Sequence, residues 1–144
     1  MSEISMLWTV AGVVVLAALV VAFIKMRQKD LLDAIAQKRK GSSKLVTRAE
    51  YVEGVEKIPV VLSVSDDTLY YENSDLEAMF ELARLDEIEY ADELSTGKNL
   101  AAGAHVLRLR SHGTTFEYVL NPGDDAKWRS ALPARRLSRS AAAV

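Results

Sequence analysis

Cysteine is absent from the 144-residue sequence, and only two histidines and three prolines are present. Without cysteine the chain has no disulfide, no thiolate zinc site and no cysteine nucleophile. Two histidines leave little room for a histidine-based metal centre. Hydrophobic residues make up 49% and charged residues 26%, which excludes collagen-like, low-complexity and wholly disordered chains. The length fits one domain with additional segments.

The net charge of -2 conceals a sorting of charges along the chain. Residues 1–49 carry a net charge of +5, residues 50–94 a net charge of -12 and residues 95–144 a net charge of +5. A surface that binds a nucleic-acid backbone must be basic, and the central segment is strongly acidic. We therefore expect no nucleic-acid partner.

Residues 4–24 contain no charged side chain and are mainly Val, Ala, Leu, Ile and Phe. A spanning helix needs about 20 apolar residues to cross the hydrocarbon core, and backbone groups in lipid must be paired within the helix. The alternatives are a buried core helix, which is usually shorter or has a polar face, and a cleaved signal peptide. A signal peptide starts with basic residues and ends in a small-residue cleavage site. Here Glu3 precedes the run and Lys25 follows it directly. The sequence predicts a transmembrane helix over 4–24.

The charges that flank this run predict its orientation. Only Glu3 precedes it, whereas several cations follow it, so the positive-inside rule places the C-terminal body in the cytoplasm and the N-terminus outside. We expect a single-pass protein of the cell inner (plasma) membrane, in contact with the lipid bilayer through residues 4–24.

Residues 25–43 form a basic juxtamembrane segment. A helical pattern continues from Met26 to Lys40, and Gly41-Ser42-Ser43 is typical of a helix stop and linker. Two interpretations are open: a stalk lying on anionic lipid, or ordinary stop-transfer charge on a solvated helix. The candidate lipid-proximal cations are Lys25, Arg27, Lys29, Lys38, Arg39 and Lys40.

After Ser43 the hydrophobic pattern changes from a period of 3.6 to a period of 2, which indicates short half-buried strands. The first segment, 45–53, is compatible with a strand, although 48–56 also has helical character. A helix from Asp124 or Asp125 to Leu132 places Trp128 and Leu132 on one face. The further predicted strands are 58–65, 68–72, 79–85, 87–94, 105–110 and 114–120.

Lys44 to Ala134 resembles the pleckstrin-homology-like superfold, and within it the small bacterial or GRAM-type domains. The resemblance rests on the order of the elements: the hairpin VVLSVSDDTLYYE, the stretch FELARLDEIEYADEL, the hairpin VLRLRSHGTTFEYVL and the final helix with Trp128. It implies a mainly β fold, with a seven-stranded antiparallel barrel over 44–134 capped by the C-terminal helix. Lipid-binding members hold phosphates with cations between the first two strands, whereas here Glu53 to Lys57 offers one cation among carboxylates.

No catalytic, cofactor-binding or metal-binding residues are predicted. His105 and His112 lack a nucleophile and an orienting group, and the acidic run from Asp86 to Glu93 lacks the glycine and loop of a calcium site. We interpret that run as a solvated acidic face. The candidate residues for a protein partner are Arg108, Arg110 and Trp128.

These observations predict a non-catalytic, membrane-anchored interaction or scaffolding module that binds an unknown protein partner. The predicted routes are strand addition at an open sheet edge and a groove beside the final helix. Alternatives are peripheral sensing of anionic lipid through the stalk and the tail, an accessory subunit of a larger membrane complex, and a homo-oligomer. Residues 135–144 are predicted to be a disordered basic tail.

Overall fold

A single helix, α1, runs from Ser2 to Lys40 in the computed structural model, which describes residues 2–136. The predicted span and the predicted juxtamembrane helix are therefore one continuous element. No glycine or proline occurs between Gly12 and Gly41, so nothing in the sequence interrupts it. The helix ends in a turn at Gly41, where the Ser42 amide donates to the Arg39 carbonyl at 3.1 Å.

Eight strands follow α1 and form one antiparallel sheet in the order β4-β3-β2-β1-β7-β6-β5-β8. The sheet curls around its core into a half-barrel. This corrects the expected closed barrel of seven strands, because β4 and β5 follow one another in the chain without pairing. The strands are β1 Leu45–Glu53, β2 Glu56–Val64, β3 Thr68–Glu72, β4 Glu77–Glu81, β5 Glu87–Ala91, β6 His105–Ser111, β7 Thr114–Leu120 and β8 Arg135–Arg136.

The first strand is extended, which settles the ambiguity over 45–57 in favour of β structure. The predicted strand 79–85 is wrong in its second half: β4 ends at Glu81 and a 3₁₀ turn occupies Leu82–Arg84. The physical reason is that the Leu85 amide bonds back to the Leu82 carbonyl at 3.3 Å, so the chain turns after Leu82 instead of continuing beside β3. The predicted strand 87–94 is also shorter, since β5 ends at Ala91.

The inner face of the half-barrel holds the main core. Val60, Leu62 and Leu69 are fully buried there, as the alternation of β2 and β3 requires. Helix α2, Asp124–Ala131, closes this core with Trp128, which is 0% exposed and whose indole nitrogen donates to the Thr47 hydroxyl at 2.8 Å. A C-terminal helix against a curled sheet is therefore confirmed.

The outer face of β1, β2 and β3 is covered by the second half of α1. Val61 and Ser63 point away from the inner core, yet both are fully buried because the helix lies over them. Leu32, on the covering face of α1, is 7% exposed. The predicted stalk thus packs on the domain, which the sequence-based interpretations of a lipid-bound or solvated helix did not include.

The C-terminal end of the described chain pairs with the first two residues of β5, at one edge of the sheet. Arg135 and Arg136 form β8 and pair with Ile88 and Glu87 of β5. The Arg135 guanidinium also donates to the carbonyls of Leu82 and Leu85. The first two residues of the predicted tail are therefore ordered, while 137–144, including Arg139, lie outside the described residues.

Candidate interaction site

The free edge of β4 presents unpaired backbone groups. Beyond the two ends of the β3–β4 ladder, the Asn73 amide donates to the Leu76 carbonyl at 2.8 Å and the Leu82 amide to the Asp67 carbonyl at 2.9 Å. Hydrogen-bonded pairs alternate along an antiparallel ladder, so Ala78 and Phe80 are the β4 residues that bond to β3. The N–H and C=O groups of the intervening residues, Glu77, Met79 and Glu81, therefore point to the outside edge.

The side chains of β4 divide between the core and the solvent. Phe80 points inward, where its ring lies 4.9 Å from the ring of Phe116 in an edge-to-face contact. Glu77, Met79 and Glu81 point outward, and Met79 is 58% exposed. The strand is thus held from the core side, which leaves its outer edge accessible.

A cleft runs beside this edge, in the gap of the half-barrel between β4 and the turn that joins β6 to β7. Its volume is about 240 Å³. One wall is built by β4 and the other by the β6–β7 turn. The residues that line it are Met79, Phe80, Glu81, Arg84, Ser111 and His112. At the opposite edge of the sheet, β8 pairs with Glu87 and Ile88 of β5, whereas all five residues of β4 lack a strand on their outer side among residues 2–136.

Charges of both signs surround the β4 edge. The Arg84 guanidinium lies 3.0 Å from the Glu81 carboxylate, and the Arg39 guanidinium lies 3.6 Å from Glu77. Glu77 and Glu81 are well exposed, so these pairs are open to solvent and to competing charges.

The junction between α1 and the sheet is a second polar cluster. Arg39 donates to both carboxylate oxygens of Glu72, with Nε 3.0 Å from Oε2, and its guanidinium carbon lies 4.0 Å from the centre of the Tyr70 ring. Glu72 is nearly buried. Arg48 on β1 bonds to the Asp33 carboxylate and to the Lys29 carbonyl. These contacts fix α1 to β1 and β3.

Arg39 therefore differs from the other predicted lipid-proximal cations. Its charge is used within the protein, whereas the remaining five are exposed along α1: Lys25, Arg27, Lys29, Lys38 and Lys40. The sequence offered no signal for this difference, because its partner Glu72 lies 33 residues further along the chain.

Arg108, a predicted partner-binding residue, is also engaged inside the domain. It lies 3.2 Å from Glu89 and 3.1 Å from Glu117, and it donates to the Glu93 carbonyl. Glu117 in turn accepts bonds from the amide and hydroxyl of Ser95. Burial opposes ionisation of Glu117, but the bonds from Ser95 and Arg108 outweigh it and lower the Glu117 pKa below its ordinary value. This network holds the loop after β5 against the sheet.

The other two predicted partner-binding residues have different positions. Arg110 is half-exposed on β6 and has no ion pair within residues 2–136. Trp128 lies on the inward face of α2 and is completely buried. Its size and apolar ring place it in the core, and its single donor is satisfied by Thr47. The structure does not bring Trp128 together with the two arginines at one surface.

The acidic run from Asp86 to Glu93 is largely paired rather than simply solvated. The Asp86 carboxylate accepts from the His112 amide, Glu87 pairs with Arg136, and Asp92 lies 2.9 Å from His105. Among the described residues no group of three or more His, Asp or Glu side chains is arranged to hold a metal ion.

Comparison with known proteins gives no assignment. No protein-family model matches the chain, and no curated protein sequence matches it. One solved structure is similar: the C-terminal domain of an unknown protein from Leishmania infantum, at 15% identity and a TM-score of 0.46. The match covers 63% of this chain and 80% of that one. A likeness this weak carries no argument about fold or function.

Proposed function

We propose that this chain is a single-pass membrane protein whose cytoplasmic, pleckstrin-homology-like domain binds an extended segment of a protein partner by strand addition to β4. The observation that carries the proposal is the open β4 edge beside a cleft, along the full length of the strand. Main-chain groups of three residues face outward there. An added strand pairs with these groups and gains specificity through its alternate side chains.

The membrane anchor is supported by the first part of α1. One described helix, Glu3–Lys40, is long and apolar enough to cross a membrane, with a mean hydropathy of 2.7 in its most apolar window. None of that window is buried by the rest of the protein, so lipid is the natural cover for its side chains. The cations after Ile24 favour a cytoplasmic domain and an external N-terminus in an inner membrane.

The pleckstrin-homology-like assignment is supported by connectivity. Four strands in meander, β1 to β4, continue through β1 into β7, β6 and β5, and a C-terminal helix follows the last long strand. The element order agrees with the resemblance seen in the sequence, whereas the half-barrel departs from the barrel that the resemblance implies. The eighth short strand is an addition to that plan.

Strand addition here is a modest interaction that the anchor strengthens. Each net backbone hydrogen bond contributes about 1 kcal/mol, and three residues provide only a few such bonds. A partner in the same membrane shares a small volume with the domain, and this raises the effective concentration of its segment. The proposal therefore predicts a partner that is itself in or at the membrane.

A photocrosslinking amino acid at Glu77, which is 78% exposed beside the edge, tests the proposal in cells. We expect a discrete adduct that is lost in Met79→Pro, because proline removes the outward N–H of Met79 and leaves the bonds between β3 and β4 intact. The matched variant Met79→Ala keeps the N–H and should keep the adduct. A probe at Asp66, in the turn after β2, is the position control. Equal adducts from both positions, or persistence in Met79→Pro, would contradict strand addition.

The orientation has its own test. A reporter that is active only in the cytoplasm, fused to the C-terminus, should be active, and a reporter active only outside should be silent. The reverse pattern contradicts a cytoplasmic domain. An adduct between two copies of the chain from the Glu77 probe would assign a homo-oligomer, and a stable adduct with an integral membrane complex would assign an accessory subunit.

Sensing of anionic lipid through the stalk is the second candidate, favoured by the five exposed cations of α1. Each basic residue near an anionic surface contributes about 1 kcal/mol. The test compares Arg27→Gln/Lys29→Gln, whose cations lie within about 8 Å of helix beyond Ile24, with the parent protein in nanodiscs that contain anionic or only zwitterionic lipid. If the stalk senses lipid, the anionic discs slow hydrogen exchange in the segment 25–40 of the parent, and the variant loses that protection. Equal exchange in both lipids contradicts this candidate.

A further inference from the structure

Only a short part of α1 separates the end of the predicted span from the domain. Gln28 follows Ile24 by four residues, which is about 6 Å of helix, and Leu32 follows it by about 12 Å. Gln28, Leu31 and Leu32 line a small cavity together with Ile58 and Pro59 at the start of β2. With α1 crossing the bilayer, this end of the domain lies about 6 to 12 Å below the hydrocarbon.

The contacts along α1 also fix the direction of the strands relative to the membrane. Early in the helix, Gln28, Leu31 and Leu32 line one cavity with Ile58 and Pro59. Lys29 and Asp33 accept bonds from the side chain of Arg48, which pairs with Val61. The late contact, at Arg39, is with Glu72, whose neighbour in the sheet is Val61. After the turn, the Lys44 amide donates to the Val64 carbonyl at 2.8 Å. β2 therefore runs in the same sense as α1, away from the bilayer.

The β1–β2 turn must then project toward the bilayer. Val55, at its tip, precedes Pro59 by four residues, or about 13 Å of strand. Even if β2 inclines by about 45° to the helix, about 9 Å of this length lies along the bilayer normal. That is enough to bring Val55 from the level of Gln28 and Leu32 into the headgroup layer, which is about 5–8 Å thick on each side.

The tip has the properties of an element that meets a lipid surface. Val55 is 84% exposed, the highest exposure among the large hydrophobic side chains of the described chain. Gly54, with φ +62°, makes the turn tight and keeps the tip narrow. Glu53 and Glu56 flank Val55, with Lys57 after them, so the tip carries a net negative charge.

We infer that the β1–β2 turn lies in the headgroup layer of the inner leaflet, with Val55 as its contact, and that this surface prefers uncharged to anionic headgroups. The inference rests on the proposed membrane anchor and is independent of strand addition at β4. Anionic lipid therefore acts in opposite ways on the two segments. It repels the acidic turn by like charge and attracts the basic part of α1.

The absence of cysteine makes the test direct, since a single cysteine variant labels one site. The full chain is placed in phosphatidylcholine nanodiscs with a nitroxide at Val55→Cys, Asp66→Cys or Val14→Cys. Depth is read from the ratio of oxygen accessibility to nickel-chelate accessibility. Val14 marks the span, and Asp66 is a matched exposed turn at the far end of β2.

We expect a hydrocarbon ratio at Val14, an intermediate ratio at Val55 and an aqueous ratio at Asp66. If Val14 has a hydrocarbon ratio but Val55 and Asp66 have the same aqueous ratio, the contact of Val55 with the headgroups is overturned and the anchor is retained. An aqueous ratio at Val14 overturns the anchor and the contact with it. Replacing part of the lipid with phosphatidylglycerol should shift Val55 toward the aqueous ratio, and Glu53→Gln/Glu56→Gln should abolish that shift. A shift toward hydrocarbon in anionic lipid overturns the stated headgroup preference.

Discussion

Arg39 joins α1 to the sheet, and its removal should lower the free energy of unfolding of the whole domain. In Arg39→Met the aliphatic stem is largely kept, but both bonds to Glu72 and the contact with the Tyr70 ring are lost. The Glu72 carboxylate would then remain nearly buried, because its side chain is only 7% exposed. A buried charge without its partner is the main cost of this change.

The size of the effect follows from that burial. Breaking a buried ion pair by removing one partner costs about 3–5 kcal/mol, and the cation–π contact adds about 1 kcal/mol at a partly exposed site. Arg39 is itself 17% exposed, so solvent relieves part of the penalty. We expect the free energy of unfolding to fall by about 3 kcal/mol, which is roughly a hundredfold in the folded-to-unfolded ratio.

The assay is urea unfolding of the full chain in micelles, followed by the fluorescence of the buried Trp128 in a Trp8→Phe background. This background leaves one tryptophan, since the chain has two. The double-mutant cycle adds Glu72→Met and Arg39→Met/Glu72→Met. We expect the double variant to be more stable than Arg39→Met alone, because it removes the stranded charge. A loss below about 0.5 kcal/mol in Arg39→Met, or strictly additive losses, would refute the reasoning.

Three smaller predictions concern the domain itself. Glu117→Gln should destabilise the fold by about 1–3 kcal/mol at neutral pH, since it weakens the bonds from Ser95. The Glu117 pKa is lowered in the folded state, so its contribution is lost as the pH falls through that pKa, and the parent and the variant should converge in acid unfolding curves. Thr47→Val should cost about 1 kcal/mol and free the Trp128 indole, seen in its emission. Tyr118→Phe should be neutral or stabilising in urea unfolding, because the buried hydroxyl makes no hydrogen bond of normal geometry.

Hydrophobic periodicity predicted much of the architecture. The uninterrupted apolar run over 4–24 became the first part of α1, and the hairpins β2–β3 and β6–β7 lie where period-2 alternation placed them. These patterns are local: an element that is buried on one face has apolar residues at the period of that element in its own sequence. The helix around Trp128 was predictable for the same reason.

The errors arose where distant residues decide the outcome. Arg39 pairs with Glu72, 33 residues away, and Arg135 donates to the Leu82 carbonyl, 53 residues away. Local sequence spacing cannot predict contacts over such separations. The bond from the Trp128 indole to the Thr47 hydroxyl also joins residues that are 81 positions apart, so the sequence did not predict it. The open edge at β4 is likewise a property of topology, since it exists only because β4 and β5 do not pair.

The absence of a hinge between the span and the covered face of the sheet has a mechanical consequence. α1 continues without glycine or proline from Gly12 to Gly41 and is clamped to β1 and β3 by arginines. If α1 spans the membrane as proposed, its rotation about its own axis is transmitted to the half-barrel as torque. A shift in helix packing by one residue position, about 100° of rotation, would swing the β4 edge around the bilayer normal toward a different neighbour.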